Sequence, residues 1–220
     1  MSSSSRKHGA ARFDGLHVLV DDDPRWKFTP IEQAQAACRG GAAVIQLRAK
    51  HATDEESVAL GLEIRDQTRH AGVQFIFNDR FDLALACGAD GVHLGQTDVP
   101  PDAIPEHLRR RLCIGRSSHT AEQARIALQE GVDYVAFGPV FETHSKPSEY
   151  ASRGLALLAE IAALVGPCPL VAIGGITRDN LEGVISAGAT GAAVISAAAG
   201  ATNPEDAVRE LARVFRAERP

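Results

Sequence analysis

The strongest constraint on the fold is the regular alternation of short apolar runs with longer stretches of helical period. Short runs rich in β-branched and apolar residues predict strands, because these residues pack well on a buried pleated surface. The predicted strands are Leu16–Val20, Ala43–Leu47, Gln74–Phe77, Gly91–Leu94, Leu112–Ile114, Tyr134–Phe137, Leu170–Ile173 and Ala192–Ile195. The predicted helices are Thr29–Arg39, Asp54–Ala71, Arg80–Cys87, Asp102–Arg110, Thr120–Gln129, Gly154–Leu164, Arg178–Ala187 and Pro204–Ala217.

A weak internal repeat marks the points where helices end and strands begin. Its four copies are Gly40–Val44, Gly88–Val92, Gly131–Val135 and Gly188–Ala192. Glycine stops a helix by taking a left-handed conformation, and an apolar strand follows at once. Eight β–α units without a break in composition predict an α/β fold, a single (β/α)8 TIM barrel. A doubly wound open sheet is the alternative, but six strands would suit it better, and no Gly-x-Gly-x-x-Gly follows the first strand.

Composition narrows the class of protein. Aromatic residues make up only 5% of the 220 residues, so Ala, Val, Ile and Leu must fill the core, as in a buried parallel sheet. The net charge of -5 argues against nucleic acid and anionic membranes as partners, since both require a cationic face. The four cysteines form no Cys-x-x-Cys pair, which favours reduced thiols in a cytoplasmic protein.

The sequence says less about the ends of the chain and about its oligomeric state. Residues 1–12 are Ser-rich and basic but lack the apolar region of a signal peptide, so we predict a disordered tail before a barrel domain over 13–220. No apolar run is long enough to span a membrane. The oligomeric state stays open, with a homo-oligomer as one alternative.

Polar residues gather where the predicted strands end. The loops after the strands of a (β/α)8 barrel form one face, and that face carries the active site. Ligand-like groups follow seven of the eight strands, among them Gln46–Lys50, Asn78–Arg80 and His93–Asp98. Chance scatter of surface residues would not favour one face so strongly. We therefore expect a small-molecule site at this mouth.

Arg48 and Lys50 lie two residues apart, so both side chains point the same way if the strand stays extended. Two cations at a barrel mouth suit a polyanion, with Arg offering a planar fork and Lys a point charge. A pair of solvated surface charges is the ordinary alternative for Arg-x-Lys, but the position at a strand end favours the anion site. Lys146 lies in a long loop over residues 139–153, which is either a mobile lid or a plain exposed loop.

Asp79 and Asp98 are the acids we assign to a metal. Carboxylates from adjacent strand ends can share one hard cation, and Mg2+ typically uses one or two protein carboxylates together with water and phosphate oxygens. The alternative for Asp79 is an N-cap on the third helix. The pairing with Asp98 and the nearby cations favours the metal.

Further anion ligands follow the later strands. Gly174-Gly175 and Ile195-Ser196 are typical of the phosphate site that many such barrels form between their last two loops. Ser117 and His119 could act as nucleophile and base, but no Gly-x-Ser-x-Gly surrounds them, which favours Ser117 as a hydrogen-bond donor to an anion. His119 lies near a helix start, where a structural role is the more common one.

In order along the chain, Gln46–Lys50, Asn78–Arg80, Val92–Asp98, Gly115-x-Ser-x-His119, Phe137–Phe141 and Ala172–Thr177 resemble the thiamine-phosphate synthase family. The resemblance covers about Leu16 to Val214. It implies that Gln46, Leu47, Arg48, Ala49, Lys50, Asn78, Ser117 and Lys146 bind hydroxymethylpyrimidine diphosphate. It also implies that Asp79 and Asp98 hold Mg2+, and that Thr143, His144, Ser145, Gly175, Ile195 and Ser196 bind thiazole phosphate.

The implied reaction is a dissociative, Mg2+-assisted substitution at the pyrimidine methylene that yields thiamine phosphate and pyrophosphate. Arg48, Lys50 and Lys146 are its expected catalytic residues, because they can stabilise negative charge on the departing group. The chain departs from the family pattern at Thr143-His144-Ser145, where Thr-x-Thr is usual, and at His17, where Tyr is common. Two alternatives are a thiazole tautomerase-like isomerase, with His119 moving protons, and a non-enzymatic phosphate-metabolite binding protein.

Overall fold

The computed structural model describes residues 13–143, 145 and 150–217. Its strands are β1 Gly15–Asp21, β2 Val44–Arg48, β3 Gln74–Asn78, β4 Gly91–Leu94, β5 Cys113–Ser118, β6 Tyr134–Phe137, β7 Leu170–Ile173 and β8 Gly191–Val194. They pair in sequence order and are all parallel, and β8 pairs with β1 to close the barrel. The predicted (β/α)8 barrel is confirmed, and the open sheet is wrong. The predicted tail over 1–12 lies outside the described residues and stays a prediction.

Helices alternate with the strands. They are α1 Pro30–Gly40, α2 Asp54–Ala71, α3 Phe81–Cys87, α4 Glu106–Arg109, α5 Ala121–Gln129, α6 Gly154–Val165, α7 Arg178–Ser186, α8 Ser196–Ala199 and α9 Pro204–Ala217. Thr29 with Glu32 and Thr53 with Glu56 form capping boxes that start α1 and α2, so their first N–H groups have acceptors. Within the part of the chain that the structure describes, no helix is both long and apolar enough to cross a bilayer.

Three elements differ from the sequence prediction. The predicted helix Asp102–Arg110 is a 3-10 turn over Pro101–Ala103 followed by the four-residue α4. Pro105 separates them, because proline disfavours the helical conformation at the residue before it, and Ile104 is extended. β5 continues to Ser118, beyond the predicted end at Ile114. The short α8 was not predicted.

Strand alternation divides the core into two layers. One layer fills the barrel and includes Leu19, Val44, Ile76, Tyr134, Val171 and Ala193. The other lies between the barrel and the helices and includes Val18, Ile45, Phe75, Val92, Phe137 and Ala172. Successive side chains of a strand alternate between its two faces. The residue two positions after an inner-layer residue therefore also faces into the barrel. This parity brings Asp21, Arg48, Asn78 and Ser117 to the barrel mouth.

The internal repeat anchors the opposite end of the barrel. The predicted left-handed glycines are present at Gly88, Gly131 and Gly188, and in the first copy at Gly41. The third residue of the other three copies accepts a hydrogen bond from a backbone N–H of the preceding strand. These bonds join Asp90 to Phe75 (2.9 Å), Asp133 to Ile114 (2.7 Å) and Thr190 to Leu170 (3.0 Å).

We expect Asp133→Ala to lower the free energy of unfolding by about 1.5–3 kcal/mol, because the buried Ile114 N–H would lose a charged acceptor. Asp133→Asn keeps a carbonyl oxygen at this position and should cost less. Urea unfolding of both variants measures the difference. Equal stability of Asp133→Ala and the unmodified chain would contradict the anchoring role.

Candidate active site

A charged cluster lies across the ends of β2, β3 and β4. Lys50 Nζ forms an ion pair with Asp79 Oδ2. The Asp79 and Asp98 side chains lie close enough for Asp79 to influence the pKa of Asp98. Burial raises the pKa of Asp98, and the nearby Asp79 raises it further, whereas Lys50 lowers it. The structure thus brings three predicted residues together as one group, the Lys50–Asp79–Asp98 cluster.

The backbone at Asp79 turns sharply to reach this cluster. Its φ is 68°, and Asp79 is the one non-glycine residue with a positive φ in the described part of the chain. The Asp79 N–H donates to the His93 carbonyl at 2.7 Å, which fixes the turn against β4. The N-cap of α3 is Arg80, without a side-chain bond, so the capping alternative for Asp79 is wrong. Unfavourable backbone conformations of this kind concentrate at functional sites.

The loop after β4 holds Asp98 in place. The Gly95 N–H donates to Asp98 Oδ2 at 2.6 Å, which bends the loop back on itself. Arg116 Nη1 donates to the Gly95 carbonyl at 2.6 Å, and Arg116 Nε lies 3.3 Å from Glu130 Oε2. The loop is therefore supported by a buried ion pair on the outer side of the barrel.

Arg48 is engaged by a residue that the sequence analysis missed. Its Nη1 donates to Asp21 Oδ2 at 2.8 Å, and the Asp21 side chain is fully buried. The two residues are register partners on β1 and β2, so their inward side chains meet. The ion pair orients the guanidinium at the mouth and leaves other N–H donors of its planar fork for a ligand. Three consecutive acids, Asp21–Asp23, were the available sequence signal.

Asp22 fixes the backbone at Lys50. Its carboxylate accepts hydrogen bonds at 2.8 Å from the N–H groups of Lys50, His51 and Ala52. Charge-assisted bonds to three successive amides hold the start of the loop after β2 in one conformation. The end of β1 and the residue after it therefore position the Arg48 side chain and the backbone of Lys50.

The other residues predicted around the diphosphate divide by strand parity. Gln46 and Asn78 lie on inward positions of β2 and β3, and Gln46 is buried. Leu47 and Ala49 have the opposite parity, and their side chains pack in the outer layer. Only the backbone of Leu47 and Ala49 is therefore offered to a ligand at the mouth.

A hydrogen-bonded chain runs from the mouth into the barrel. Ser117 Oγ lies 2.8 Å from His93 Nε2, and His93 Nδ1 lies 2.9 Å from the Tyr134 hydroxyl. Ser117 lies on β5 itself, not in the following loop as predicted. The chain is called the Ser117–His93–Tyr134 relay below.

The predicted phosphate residues lie across the ends of β6, β7 and β8. A side chain at Gly175 would place its Cβ 2.4 Å from the Glu142 carbonyl, so only glycine allows the two loops to lie this close. The Phe141 N–H donates to the Gly174 carbonyl at 3.0 Å, and the Ser145 N–H donates to Thr143 Oγ1. Ile195 precedes α8, which begins at Ser196. His144 and Lys146 lie outside the described residues, and their assignments stay predictions.

His119 is held by its surroundings. Its Nδ1 lies 2.5 Å from the Gly138 carbonyl, and its ring stacks on Tyr150 with the ring centroids 4.1 Å apart. The Arg153 guanidinium lies 5.1 Å from the Tyr150 ring centroid. These contacts link β5 to the end of the loop after β6 and agree with a structural role for His119.

Trp26 is a second residue that sequence reasoning missed. It lies in the loop after β1 and packs against the inner core layer, and a Cβ at Gly200 would lie 3.5 Å from its ring. Its Nε1 is buried and finds no hydrogen-bond acceptor among the described residues. Buried indole N–H groups usually have a partner, so the unpaired Nε1 marks Trp26 as a candidate ligand contact. Its position on the β1–β8 side places it near Ile195 and Ser196.

The Lys50–Asp79–Asp98 cluster fits Mg2+. Within the described residues, no group of three or more His, Cys, Asp or Glu side chains could hold a metal. Sites for Zn2+ need such a group, whereas Mg2+ accepts one or two carboxylates and completes its shell with water and phosphate oxygens. The carboxylates of Asp79 and Asp98 are two hard oxygen donors, and Arg48 and Lys50 lie at the end of β2 next to them, which matches that requirement.

The fold and the mouth define a (β/α)8-barrel protein with cations, carboxylates and glycine-rich loops at the carboxyl ends of its strands. Residues 16–198 match the family described as thiamine monophosphate synthase. The chain is 49% identical over 200 residues to the thiamine-phosphate synthase of Roseiflexus sp., covering 91% of this chain and 84% of that one. It is 46% identical over 196 residues to the thiamine-phosphate synthase of Methanoregula boonei, covering 89% of this chain and 90% of that one.

Among solved structures, the chain resembles a thiamine phosphate pyrophosphorylase from Pyrococcus furiosus. The TM-score is 0.85 and the identity 35%, over 94% of this chain and 97% of that one. The chain belongs to the thiamine monophosphate synthase family. The resemblance inferred from the ordered motifs is thus confirmed.

We expect Asp22→Ala to raise the hydrogen-exchange rates of the Lys50, His51 and Ala52 amides by roughly 10-fold or more, because all three lose the same acceptor. Asp23→Ala is the matched control for the Lys50 and Ala52 amides, since Asp23 bonds to the Arg25 amide and contacts this loop through the His51 side chain. Exchange measured by NMR or mass spectrometry reads the effect. Unchanged exchange in Asp22→Ala would show that the carboxylate does not order this loop.

Proposed function

We propose that this transferase couples hydroxymethylpyrimidine diphosphate to thiazole phosphate and releases pyrophosphate. The observation that carries the proposal is the Lys50–Asp79–Asp98 cluster, which joins a cation and two carboxylates beside Arg48. A diphosphate needs positive charge from the protein and a hard metal, and this side of the mouth offers ligands for both. The two substrates are those that the resemblance to this family implies, and membership of the family supports them.

Asp79 and Asp98 would hold the Mg2+, which when bound supplies Lewis-acid stabilisation to the diphosphate oxygens. Lys50 lies against Asp79 and can contact the same phosphates as a point charge. Arg48, oriented by Asp21, can offer its remaining N–H donors. We assign Lys146 to the same group as the third cation. Gln46, Asn78 and Ser117, together with the backbone of Leu47 and Ala49, complete the predicted pyrimidine diphosphate site.

In the proposed reaction, the bond between the pyrimidine methylene carbon and the diphosphate oxygen breaks, and the thiazole nitrogen lone pair bonds to that carbon. The aminopyrimidine stabilises the positive charge that develops on the methylene. Negative charge grows on the departing pyrophosphate, where Arg48, Lys50 and Lys146 stabilise it. No protein base is required, since the attacking nitrogen carries no proton that must be removed.

The thiazole phosphate is assigned to the opposite side of the mouth. Gly175, Ile195 and Ser196 offer backbone N–H groups, and the predicted ligands Thr143, His144 and Ser145 follow β6 in the sequence. Hydroxyls at positions 143 and 145 retain the donors of the usual Thr-x-Thr pattern. Separate sites for the two phosphorylated ends would hold the reacting atoms in line, which lowers the entropic part of the barrier.

A tautomerase-like isomerase would use His119 to move protons. The contacts of His119 with Gly138 and Tyr150 instead support its holding the loop after β6. An assay with each substrate alone and with both together separates the activities. Mg2+-dependent pyrophosphate release only with both substrates supports the synthase, whereas isomerisation of the thiazole alone would contradict it. Binding without turnover would favour a phosphate-metabolite binding protein.

We expect Asp79→Asn and Asp98→Asn each to raise the Mg2+ concentration for half-maximal rate by roughly 10-fold or more, because each removes a charged metal ligand. Asp82→Asn is the control, since Asp82 lies on α3 and pairs with the N-cap residue Arg80. Initial rates measured across a Mg2+ titration test this prediction. An unchanged Mg2+ requirement in both variants would remove the two acids from the metal site.

Trp26 is the one tryptophan in the chain, so its fluorescence reports on its surroundings directly. We expect thiazole phosphate alone to change the emission, because its predicted site adjoins Trp26. Trp26→Phe keeps an aromatic ring but removes the N–H donor, and should raise the KM for thiazole phosphate by about 3- to 10-fold. The KM for the pyrimidine diphosphate is the internal control. A larger effect on that KM would place Trp26 on the wrong side of the mouth.

A further inference from the structure

Tyr134 lies at the bottom of the Ser117–His93–Tyr134 relay, deep inside the barrel. The residue is 1% exposed, and its ring stacks between Phe13 and His93, with centroid separations of 4.5 Å and 5.5 Å. Its hydroxyl lies 2.9 Å from His93 Nδ1. The phenol is therefore held in one place with its oxygen directed at the imidazole.

Gly115 makes this placement possible. It is the register partner of His93 on β5, and a Cβ at this position would lie 2.0 Å from Tyr134 Cζ and 2.4 Å from the hydroxyl oxygen. Any other residue would displace the ring. The missing side chain at Gly115 thus leaves a space beside β5. The Tyr134 phenol occupies this space, and its hydroxyl reaches His93.

The hydrogen-bond accounting selects one tautomer of His93. Within the described part of the chain, His93 Nδ1 is the acceptor that the buried Tyr134 hydroxyl reaches. If Nδ1 carried the proton and donated to the phenol oxygen, the phenol hydrogen would be buried without an acceptor, which is the more costly arrangement. The phenol therefore donates to Nδ1, and the neutral ring carries its proton on Nε2.

The tautomer decides what Ser117 presents to a ligand. With the proton on Nε2, His93 donates to Ser117 Oγ across 2.8 Å, and the serine keeps its own hydroxyl hydrogen for another acceptor. With the proton on Nδ1 instead, the Ser117 hydroxyl would donate its hydrogen to Nε2 and would present a lone pair to the mouth. Only the first arrangement attracts a phosphate oxygen.

We propose that Tyr134 is a positioning residue that holds His93 in the Nε2–H tautomer and thereby makes the Ser117 hydroxyl a hydrogen-bond donor into the mouth. The chemical class of ligand that this donor selects is an anionic oxygen, as on a phosphate or diphosphate. The consequence for catalysis rests on the proposed synthase function, whereas the tautomer does not depend on it.

The tautomer can be measured without substrate. Long-range nitrogen–proton NMR spectra of the intact protein distinguish the two neutral imidazole forms, and the His93→Gln spectrum assigns the signals. We expect the Nε2–H form in the unmodified chain and a larger share of the Nδ1–H form in Tyr134→Phe. Tyr150→Phe removes a phenol outside the relay and should leave the His93 tautomer unchanged. An Nδ1–H tautomer in the unmodified protein would overturn the proposal, whatever reaction the enzyme catalyses.

Kinetics test whether Tyr134 acts through Ser117. We expect Tyr134→Phe to lower kcat/KM for the pyrimidine diphosphate by about 3- to 10-fold, the effect of one hydrogen bond. In a Ser117→Ala background, the same change should cost less than about 1.5-fold, because the group it orients is absent. An equal loss in both backgrounds would show that Tyr134 acts on packing alone and would overturn the proposal. A protein that forms no product with the two substrates would refute the synthase function and leave the NMR result to decide the tautomer.

Discussion

The site depends on the pairing of charges across the ends of neighbouring strands. Lys50 contacts Asp79, and Asp79 adjoins Asp98, so three consecutive strands contribute to one cluster. The neighbouring carboxylates of Asp79 and Asp98 repel each other unless a cation lies between them. Lys50 offsets only part of this repulsion, since the pKa of Asp98 stays raised. A bound metal ion would offset the rest of this negative charge, and a diphosphate would then bind to the metal and the neighbouring cations. The barrel supports the arrangement because its parallel strands all end on the same face.

A second set of acids keeps the cations in position. Asp21 binds Arg48 from within the barrel, and Asp22 binds the backbone at Lys50. Neither acid needs to touch a ligand to matter, since a misplaced guanidinium or ammonium group stabilises a departing anion poorly. The same logic applies to Tyr134, which lies far from solvent but determines the hydrogen-bonding direction of a residue at the mouth. The chemistry of the mouth is thus set by buried groups one layer below it.

Much of this could be predicted from the sequence. Periodicity located all eight strands, because a buried parallel strand is a short apolar run between glycines and turns. The position of Asp79 and Asp98 after adjacent strands was enough to pair them. The interruption at Pro105 was missed because the predicted fourth helix was continued across a proline. The length of β5 was missed because polar residues at a barrel mouth resemble a loop. The roles of Asp21 and Tyr134 were missed because they depend on which side chain lies opposite each residue inside the barrel. A single sequence does not show contacts between residues that are far apart along the chain. Trp26 gave no signal, as a lone aromatic in a loop is usually a surface contact.

A crystal structure of the protein with Mg2+ and inorganic pyrophosphate tests most directly whether the Lys50–Asp79–Asp98 cluster binds a metal and a diphosphate. We expect one Mg2+ bound by Asp79 and Asp98, with pyrophosphate oxygens among its other ligands and Lys50 Nζ within hydrogen-bonding distance of the same anion. Arg48 should keep its bond to Asp21. A metal bound elsewhere, or pyrophosphate bound away from Lys50 while both acids stay unliganded, would contradict this assignment.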